Sequence, residues 1–371
     1  MPQAPKCPNP AGFRTPCRNL NGFGDGIRNP NSIPTSIHHP QSSIMSGNIN
    51  IIRQAFFAGS PKFMPKDLPD LKGKVIVVTG ANTGIGKEIA QILYAKNARV
   101  YMMARSEIKN REALEAIQAA VPRSSGELIC LPLDLADLTT INDSAAEILR
   151  RESKVHVLFN NAGVGFTEHG SKTKQGYELQ LGVNCLGTLA FTQQLTPTLV
   201  STAKDSPAGT VRVVWASSTA AMATTTKNYM KRINNINKET SAEQYYISKL
   251  GDYFYATEFA SRYKEHGIIS TPLNPGNLDS DFWRTMGPAF HWFLRKTVLF
   301  PTIYGAYTNI FAGFSPEVTL EKSGTFVAPW GRMWHATKDM VAGSKTQAEG
   351  GTGIAREFWE WSEAQLKLHA K

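Results

Sequence analysis

The sequence predicts a single α/β domain built on a doubly wound parallel sheet flanked by helices on both faces. Three observations predict it. Val75, Ile76, Val77 and Val78 form a short β-branched run of the kind a strand buried on both faces shows, cut off by Thr79-Gly80. A helical pattern follows at once, with Ile85, Ile89, Ile92 and Leu93 at helix spacing and Gly80, Gly84 and Gly86 in the turn between. From there strand-like and helix-like stretches alternate as far as Leu273, and each polar or glycine-rich cluster falls at the carboxyl end of a strand, where open α/β sheets bind ligands.

The elements follow in order. The first strand and helix make an anion site, because unpaired N–H groups and the positive end of the dipole meet a backbone that glycines leave approachable. Arg99 to Met103 is a second strand, and Asn110 to Ala120 a helix stopped by Pro122. Glu127 to Leu131 is a third strand leading to Leu133-Asp134-Leu135, followed by a helix over Thr139 to Arg151 with Ile141, Ala145 and Ile148 on one face. Val155 to Phe159 is a fourth strand ending in Asn160-Asn161-Ala162-Gly163, before a long helix over about Tyr177 to Leu199. Val211 to Ala216 is a fifth strand ending in Ser217-Ser218, Tyr245 to His266 a helix, and Ile268 to Leu273 a sixth strand ending in Asn274-Pro275-Gly276.

At 371 residues and 42% hydrophobic, the chain can bury one large core with extensions. The formal charge of +10 does not point to nucleic acid: residues 1–60 hold Lys6, Arg14, Arg18, Arg28 and Arg53 against Asp25, and the rest is spread without a basic run. Cys7, Cys17, Cys130 and Cys185 have neither metal nor disulfide spacing, so no metal is expected and a reducing compartment fits. Residues 1–44 carry 8 of the 21 prolines and read as a dispensable disordered tail, with Met45 a second candidate start. A mitochondrial presequence is the alternative, but the prolines spoil an amphipathic helix and a cytoplasmic location is expected. No run approaches the ~18 apolar residues of a membrane span.

Tyr245 and Lys249 stand four apart, about one turn and ~40° from each other on a helix, whereas Tyr246 has Leu250 at that offset. An ammonium held beside a phenol favours the phenolate, so the tyrosine pKa is expected to fall from about 10 toward working pH, making it a proton donor and acceptor. Taken alone, such a pair is also common on exposed helices.

With these residues in place the sequence resembles the short-chain dehydrogenase/reductase family, whose fold is of the Rossmann type. Thr79-Gly80-Ala81-Asn82-Thr83-Gly84-Ile85-Gly86 is similar to its T-G-x-x-x-G-x-G loop, Asn160 to Gly163 to its N-N-A-G, and Tyr245 to Lys249 to its Y-x-x-x-K. Ser218, Asn184 in VNCLG and the Pro275-Gly276 turn occur in family order, and the resemblance covers roughly Leu68 to Ala328. It implies a catalytic set in which Tyr245 passes the proton, Lys249 tunes it and holds the nicotinamide ribose, Ser218 binds the substrate oxygen, and Asn184 holds a water that links Lys249 to solvent. Ser217 is the weaker serine, since its side chain should point the other way. Implied cofactor contacts are Gly80, Asn82, Thr83, Gly84, Ile85, Gly86, Asp134 near the adenine, Asn161, Ala162 and Gly163 at its ribose, Tyr245, Lys249, Pro275, Gly276, Leu278 and Ser280, the last standing where the family often carries threonine. An acid at the end of the second strand would bind the ribose of NAD, but Val100 to Ser106 offers Arg105 instead, so NADP(H) is expected over NAD(H).

The domain plan is therefore a tail (1–44), an extension packing on the body (45–73, including the apolar Ile49 to Ala58), a catalytic domain (74–340) and a C-terminal helical extension (341–371). The lid is expected at about 277–305, where Phe282, Trp283, Met286, Phe290, Trp292, Phe293 and Leu294 are either core or the wall of an apolar substrate pocket. A weak peripheral membrane contact beside Arg295 and Lys296 is the second use of such a surface. The C-terminal Phe358, Trp359 and Trp361 are expected to pack on the body or on a second subunit of a homo-oligomer. The sequence thus predicts an NADP-dependent oxidoreductase acting on a carbonyl or alcohol of a fairly apolar small molecule, and it is similar to fungal enzymes of the retinol-dehydrogenase-like branch, some of which serve secondary metabolism. A non-catalytic dinucleotide-sensing protein and an isomerase or dehydratase using the same tyrosine are the alternatives.

Overall fold

Alternation along the strands sorts their side chains onto two cores. The computed structural model describes residues 51–54, 58–280 and 288–369, and for 288–291 and 293 it describes the backbone alone. The tail expected over 1–44, and Phe282, Trp283 and Met286 of the lid, lie outside the described residues, as do the side chains of Phe290 and Phe293.

The strands are β1 (Val75–Thr79), β2 (Arg99–Ala104), β3 (Glu127–Pro132), β4 (Val157–Asn160), β5 (Val211–Ala216), β6 (Ile268–Leu273), β7 (Phe326–Ala328) and β8 (Arg332–Trp334). They form one sheet in the order β3-β2-β1-β4-β5-β6-β7-β8, parallel except for β8 against β7. The order reverses between β1 and β4, which pair as Ile76 with Val157 and Val78 with Phe159. Val75, Val77, Tyr101, Leu158, Val213 and Trp215 face one core, while Ile76, Val78, Val100, Phe159 and Val214 face the other. A side-chain period of two, with both faces covered, requires that division.

The helices are α1 (Gly84–Ala95), α2 (Glu107–Ala120), α3 (Leu138–Arg151), α4 (Thr188–Lys204), α5 (Tyr229–Asn234), α6 (Ser241–Tyr263), α7 (Pro288–Thr297), α8 (Thr302–Phe314), α9 (Lys338–Ser344) and α10 (Ile354–Lys367). Ile141, Leu189, Phe254 and Phe259 bring α3, α4 and α6 onto the first core; Ile89, Ile117 and Phe311 bring α1, α2 and α8 onto the second. Helix α2 starts three residues before the expected boundary because Ser106 caps it, accepting from the Lys109 N–H at 3.4 Å. Strand β4 starts two residues late, and His156 just before it accepts the Val75 N–H through Nδ1 at 3.1 Å.

Three further departures bear on the site. The long fourth helix begins not at Tyr177 but after Glu178, whose carboxylate accepts the N–H groups of Gln180 and Leu181, and it opens with a π-helical stretch, Leu181–Gly187. The C-terminal extension is two helices rather than one; α10 lies on α6, with Tyr255 stacked on Phe358 at 4.8 Å and its hydroxyl on Ser362 at 2.6 Å. Helix α8 starts at Thr302, within the stretch expected as a lid, and is anchored in the core just beyond it, where Ala306, Ile310 and Phe311 are fully buried. Of its aromatics, Trp292 is exposed. In the N-terminal extension Gln54 is buried, accepting from Asn274 Nδ2 at 3.1 Å while its amide meets Met222 Sδ at 3.5 Å. Among the described residues no helix is long and apolar enough to cross a membrane.

Candidate active site

The site lies where the strand order reverses, and its first half is the turn from β1 into α1. Gly80 and Ala81 donate to Met103 O at 2.8 and 3.3 Å, docking the turn on the end of β2. Gly84 takes φ +53°, which side chains resist, and a Cβ there would meet nothing nearer than Ser280 Cβ at 3.9 Å. Gly86 is the opposite case: an added Cβ would lie 2.2 Å from Gly80 O and 2.8 Å from Asn161 Nδ2. The helix is thus pressed onto the turn while the space over its N-terminus stays open, and no acid stands in its first turn. That is the shape and polarity a pyrophosphate needs.

The turn is bolted to the next strand. Thr79 Oγ1 donates to Phe159 O at 3.2 Å and accepts the N–H groups of Asn161 and Ala162 at 3.0 and 2.9 Å, while Asn161 Nδ2 donates to Thr79 O at 2.9 Å. Those two backbone donors are therefore taken, and what they leave for an adenine ribose is carbonyl oxygen. Arg105 is exposed immediately beyond β2, beside the docked turn. Asp134 is half-buried, with Oδ1 accepting from Ala136 N–H at 2.9 Å. Asn82, Ile85, Pro275, Gly276 and Ser280 are half-buried and Thr83 is exposed. The side chain of Leu278 is buried, and a Cβ on Gly305 would touch both it and Ile85. Leu278 therefore packs α8 against α1, and only its backbone could reach a cofactor.

The second half is carried by α6. Tyr245 is buried, with the Ser218 hydroxyl near enough to act on its phenol and the Lys249 ammonium 6.0 Å from its ring centroid. Ser218, extended at the end of β5, also accepts from Ala220 N–H at 3.1 Å. Ser217 does point away, donating to Lys249 O at 2.7 Å and tying α6 to the strand. Lys249 Nζ donates to Ala216 O and to Asp252 Oδ2, both at 2.8 Å.

Two expectations change here. The Tyr245 pKa is raised above its ordinary value: burial pushes it up, and the Lys249 ammonium and the Ser218 hydroxyl pull it down by less, with the Asp252 carboxylate opposing them. The Asn184 side chain is also more engaged than a water-holding role alone requires. Its amide donates to Val164 O and Ser248 Oγ, both at 2.9 Å, and its oxygen accepts from Val164 N–H at 2.8 Å. A water there would have the second lone pair of Oδ1, which faces the Gly163 floor, or the backbone carbonyl in the π-helical stretch, where backbone pairing departs from the α pattern.

Gly163 joins the two halves, because a Cβ there would stand 3.1 Å from Asn184 Oδ1 and 3.3 Å from Lys249 Nζ. It is exposed, so a flat ring can approach the ammonium across it. The open helix N-terminus at one end and the glycine-floored ammonium at the other fit an extended dinucleotide.

A short-chain dehydrogenase/reductase of Phomopsis amygdali is 42% identical over 331 residues, 87% of this chain and 99% of the relative. The chain belongs to the short-chain dehydrogenase/reductase family. A family profile described as short chain dehydrogenase matches residues 74–230. A second short-chain dehydrogenase/reductase, from Neocamarosporium betae, is 42% identical over 317 residues, 84% of this chain and 91% of the relative. Among solved structures, a 3-oxoacyl-[acyl-carrier protein] reductase from Brucella melitensis in complex with NAD shares the fold, with a TM-score of 0.55, 21% identity, and coverage of 70% of this chain and 96% of that one. The protein is an NAD(P)-dependent short-chain dehydrogenase/reductase, acting on CH–OH or C=O groups.

In this family member, sequence reasoning missed three neighbours of the tyrosine and lysine. Phe166, at φ +51°, sets its ring 5.0 Å from that of Tyr245, its N–H held by Gln180 Oε1 at 2.9 Å. Ser248 Oγ donates to Tyr245 O at 2.8 Å and receives Asn184. Asp252 could have been noticed as an acid three residues beyond the lysine; Phe166 left no signal in the pattern.

Proposed function

We propose that this short-chain dehydrogenase/reductase prefers NADP(H) and interconverts a carbonyl and an alcohol on a fairly apolar small molecule. The observation that carries the reading is Tyr245, with the Ser218 hydroxyl acting on its phenol, beside Lys249 and against the Phe166 ring. Ser218 and Tyr245 can both donate to one substrate oxygen, which orients the carbonyl and stabilises the charge that develops there. Tyr245 then delivers its proton to that oxygen, and Lys249 stabilises the phenolate left behind. The cofactor, when bound, supplies or accepts the hydride. Phe166 offers an apolar face beside the reacting oxygen, supporting an apolar substrate. The NADP preference rests on Arg105, a cation beyond β2 where an acid would favour NAD.

The test is NADPH oxidation with a panel of apolar ketones and aldehydes, with Tyr245→Phe as the control. The variant should fold and bind NADPH yet lose about a hundredfold or more of the rate. Turnover at the normal rate would remove Tyr245 from the proton step.

A further inference from the structure

Asp252 has no part in the catalytic set, yet it is among the few buried carboxylates of the described residues. Its Oδ2 lies 2.8 Å from Lys249 Nζ, and the side chains are 5% and 7% exposed. The three-residue spacing on α6 brings the pair onto one face. A second bond, from Nζ to Ala216 O at 2.8 Å, fixes the ammonium between helix and strand. Ser217 holds the same helix turn to the same strand end from below, through Lys249 O.

The groups acting around this carboxylate are few. On α6 they are Lys249, Tyr245 and Tyr255; from the π-helical stretch comes Cys185, and from α5 comes Tyr229. Lys249 is the one cation among the described residues that acts on it. The pair is therefore electrically closed, and the carboxylate offsets part of the ammonium's field at a third group, where the lysine still acts more strongly. That third group is Tyr245.

We propose that Asp252 is a positioning residue for the lysine: it holds the Lys249 ammonium against Ala216 O and offsets part of its charge, so that Tyr245 is kept further toward its protonated, proton-donating form while the ammonium still supports the phenolate formed in turnover. The inference rests on the reading of Tyr245 as the proton carrier and adds a direction to it, since an enzyme kept in this form is set for carbonyl reduction. A buried tyrosine lacking such a counter-charge beside its lysine would ionise more readily and suit alcohol oxidation.

The experiment needs neither substrate nor cofactor. Ionisation of Tyr245 is read as the phenolate absorbance difference between a chain with Tyr245 and its Tyr245→Phe counterpart, across alkaline pH, in the native and the Asp252→Asn background. Loss of the carboxylate should move the Tyr245 step down by on the order of one pH unit, about tenfold more phenolate at a given pH below the midpoint. Asp252→Glu, which keeps the charge, should return the step to its native position. Asp252→Ser replaces the amide variant if that does not fold, with the same shift required. Equal phenolate in the two backgrounds at every pH, even with a lowered melting temperature, would overturn the proposal and leave Asp252 a structural ion pair. So would loss of the proton from Lys249 in place of Tyr245. A failure of the functional reading is seen separately, as a Tyr245→Phe chain that still reduces carbonyls.

Discussion

His156 should make this protein acid-sensitive in a way that one substitution removes. The imidazole is 7% exposed and accepts the Val75 N–H at 3.1 Å, a bond that only the neutral ring can take through Nδ1. Burial, and then the ammonium groups of Lys74 and Lys154, push its pKa down from 6.5 to about 4. The sign follows from linkage: the unfolded chain takes up the proton first, so stability is complete above the unfolded pKa and is lost as pH falls through that of the folded state. Between 6.5 and about 4, at about 1.4 kcal/mol per unit, the loss comes to about 3 kcal/mol. Chemical denaturation between about pH 7 and about pH 4 reads it, with His156→Gln as the comparison because the amide keeps a neutral acceptor. Other groups titrate in both chains, among them Asp252, which burial raises to about 6, so the difference between the two curves isolates His156. The native chain should lose about 3 kcal/mol more than the variant over that interval. A gap between the curves that stays constant with pH would refute the assignment.

Gly86→Ala should weaken NADPH binding at least about tenfold and cost about 1–3 kcal/mol in stability, since the new methyl falls 2.2 Å from Gly80 O. Tryptophan fluorescence titration and a melt measure both, and wild-type values in each would show that the turn can yield. Arg105→Asp should lower the ratio of NADPH to NADH efficiency by about tenfold or more, through loss of a cation and gain of a 2′-hydroxyl acceptor. An unchanged ratio would place NADP selection elsewhere.

The parts of this structure that repeat were legible in the sequence. The β-branched run at Val75 and the apolar spacing in α1 state their own periods, and so the strands up to β6 and the two covered faces could be anticipated. Strands β7 and β8 could not, because three residues each hold too little pattern; they exist because Val327 pairs with Leu273 and Val327 in turn with Met333. The same limit applies to the site. Tyr245 and Lys249 are legible as a spacing, and Ser218 as a residue after a strand. Whether burial or the ammonium wins at the phenol depends on the surroundings of both, and Asp252 and Phe166 enter that balance through tertiary structure. Asn184 is legible by its motif, whereas the bracing of Val164 by its side chain is not.

The π-helical stretch also fixes the length of the chain at that point. Each residue of a helix turns the next by about 100°, so deleting one residue between Leu181 and Gly187 would rephase everything on one side of it. Gln180, which holds Phe166 N–H at 2.9 Å and donates to Ser241 O at 2.9 Å, would swing away from both. Thr192, which receives Asn160 Nδ2 at 2.8 Å, lies on the other side and cannot follow. The stretch therefore works as a vernier between two sets of partners, and in alignments of related chains a gap placed here would signal a different site geometry rather than a tolerated change in loop length.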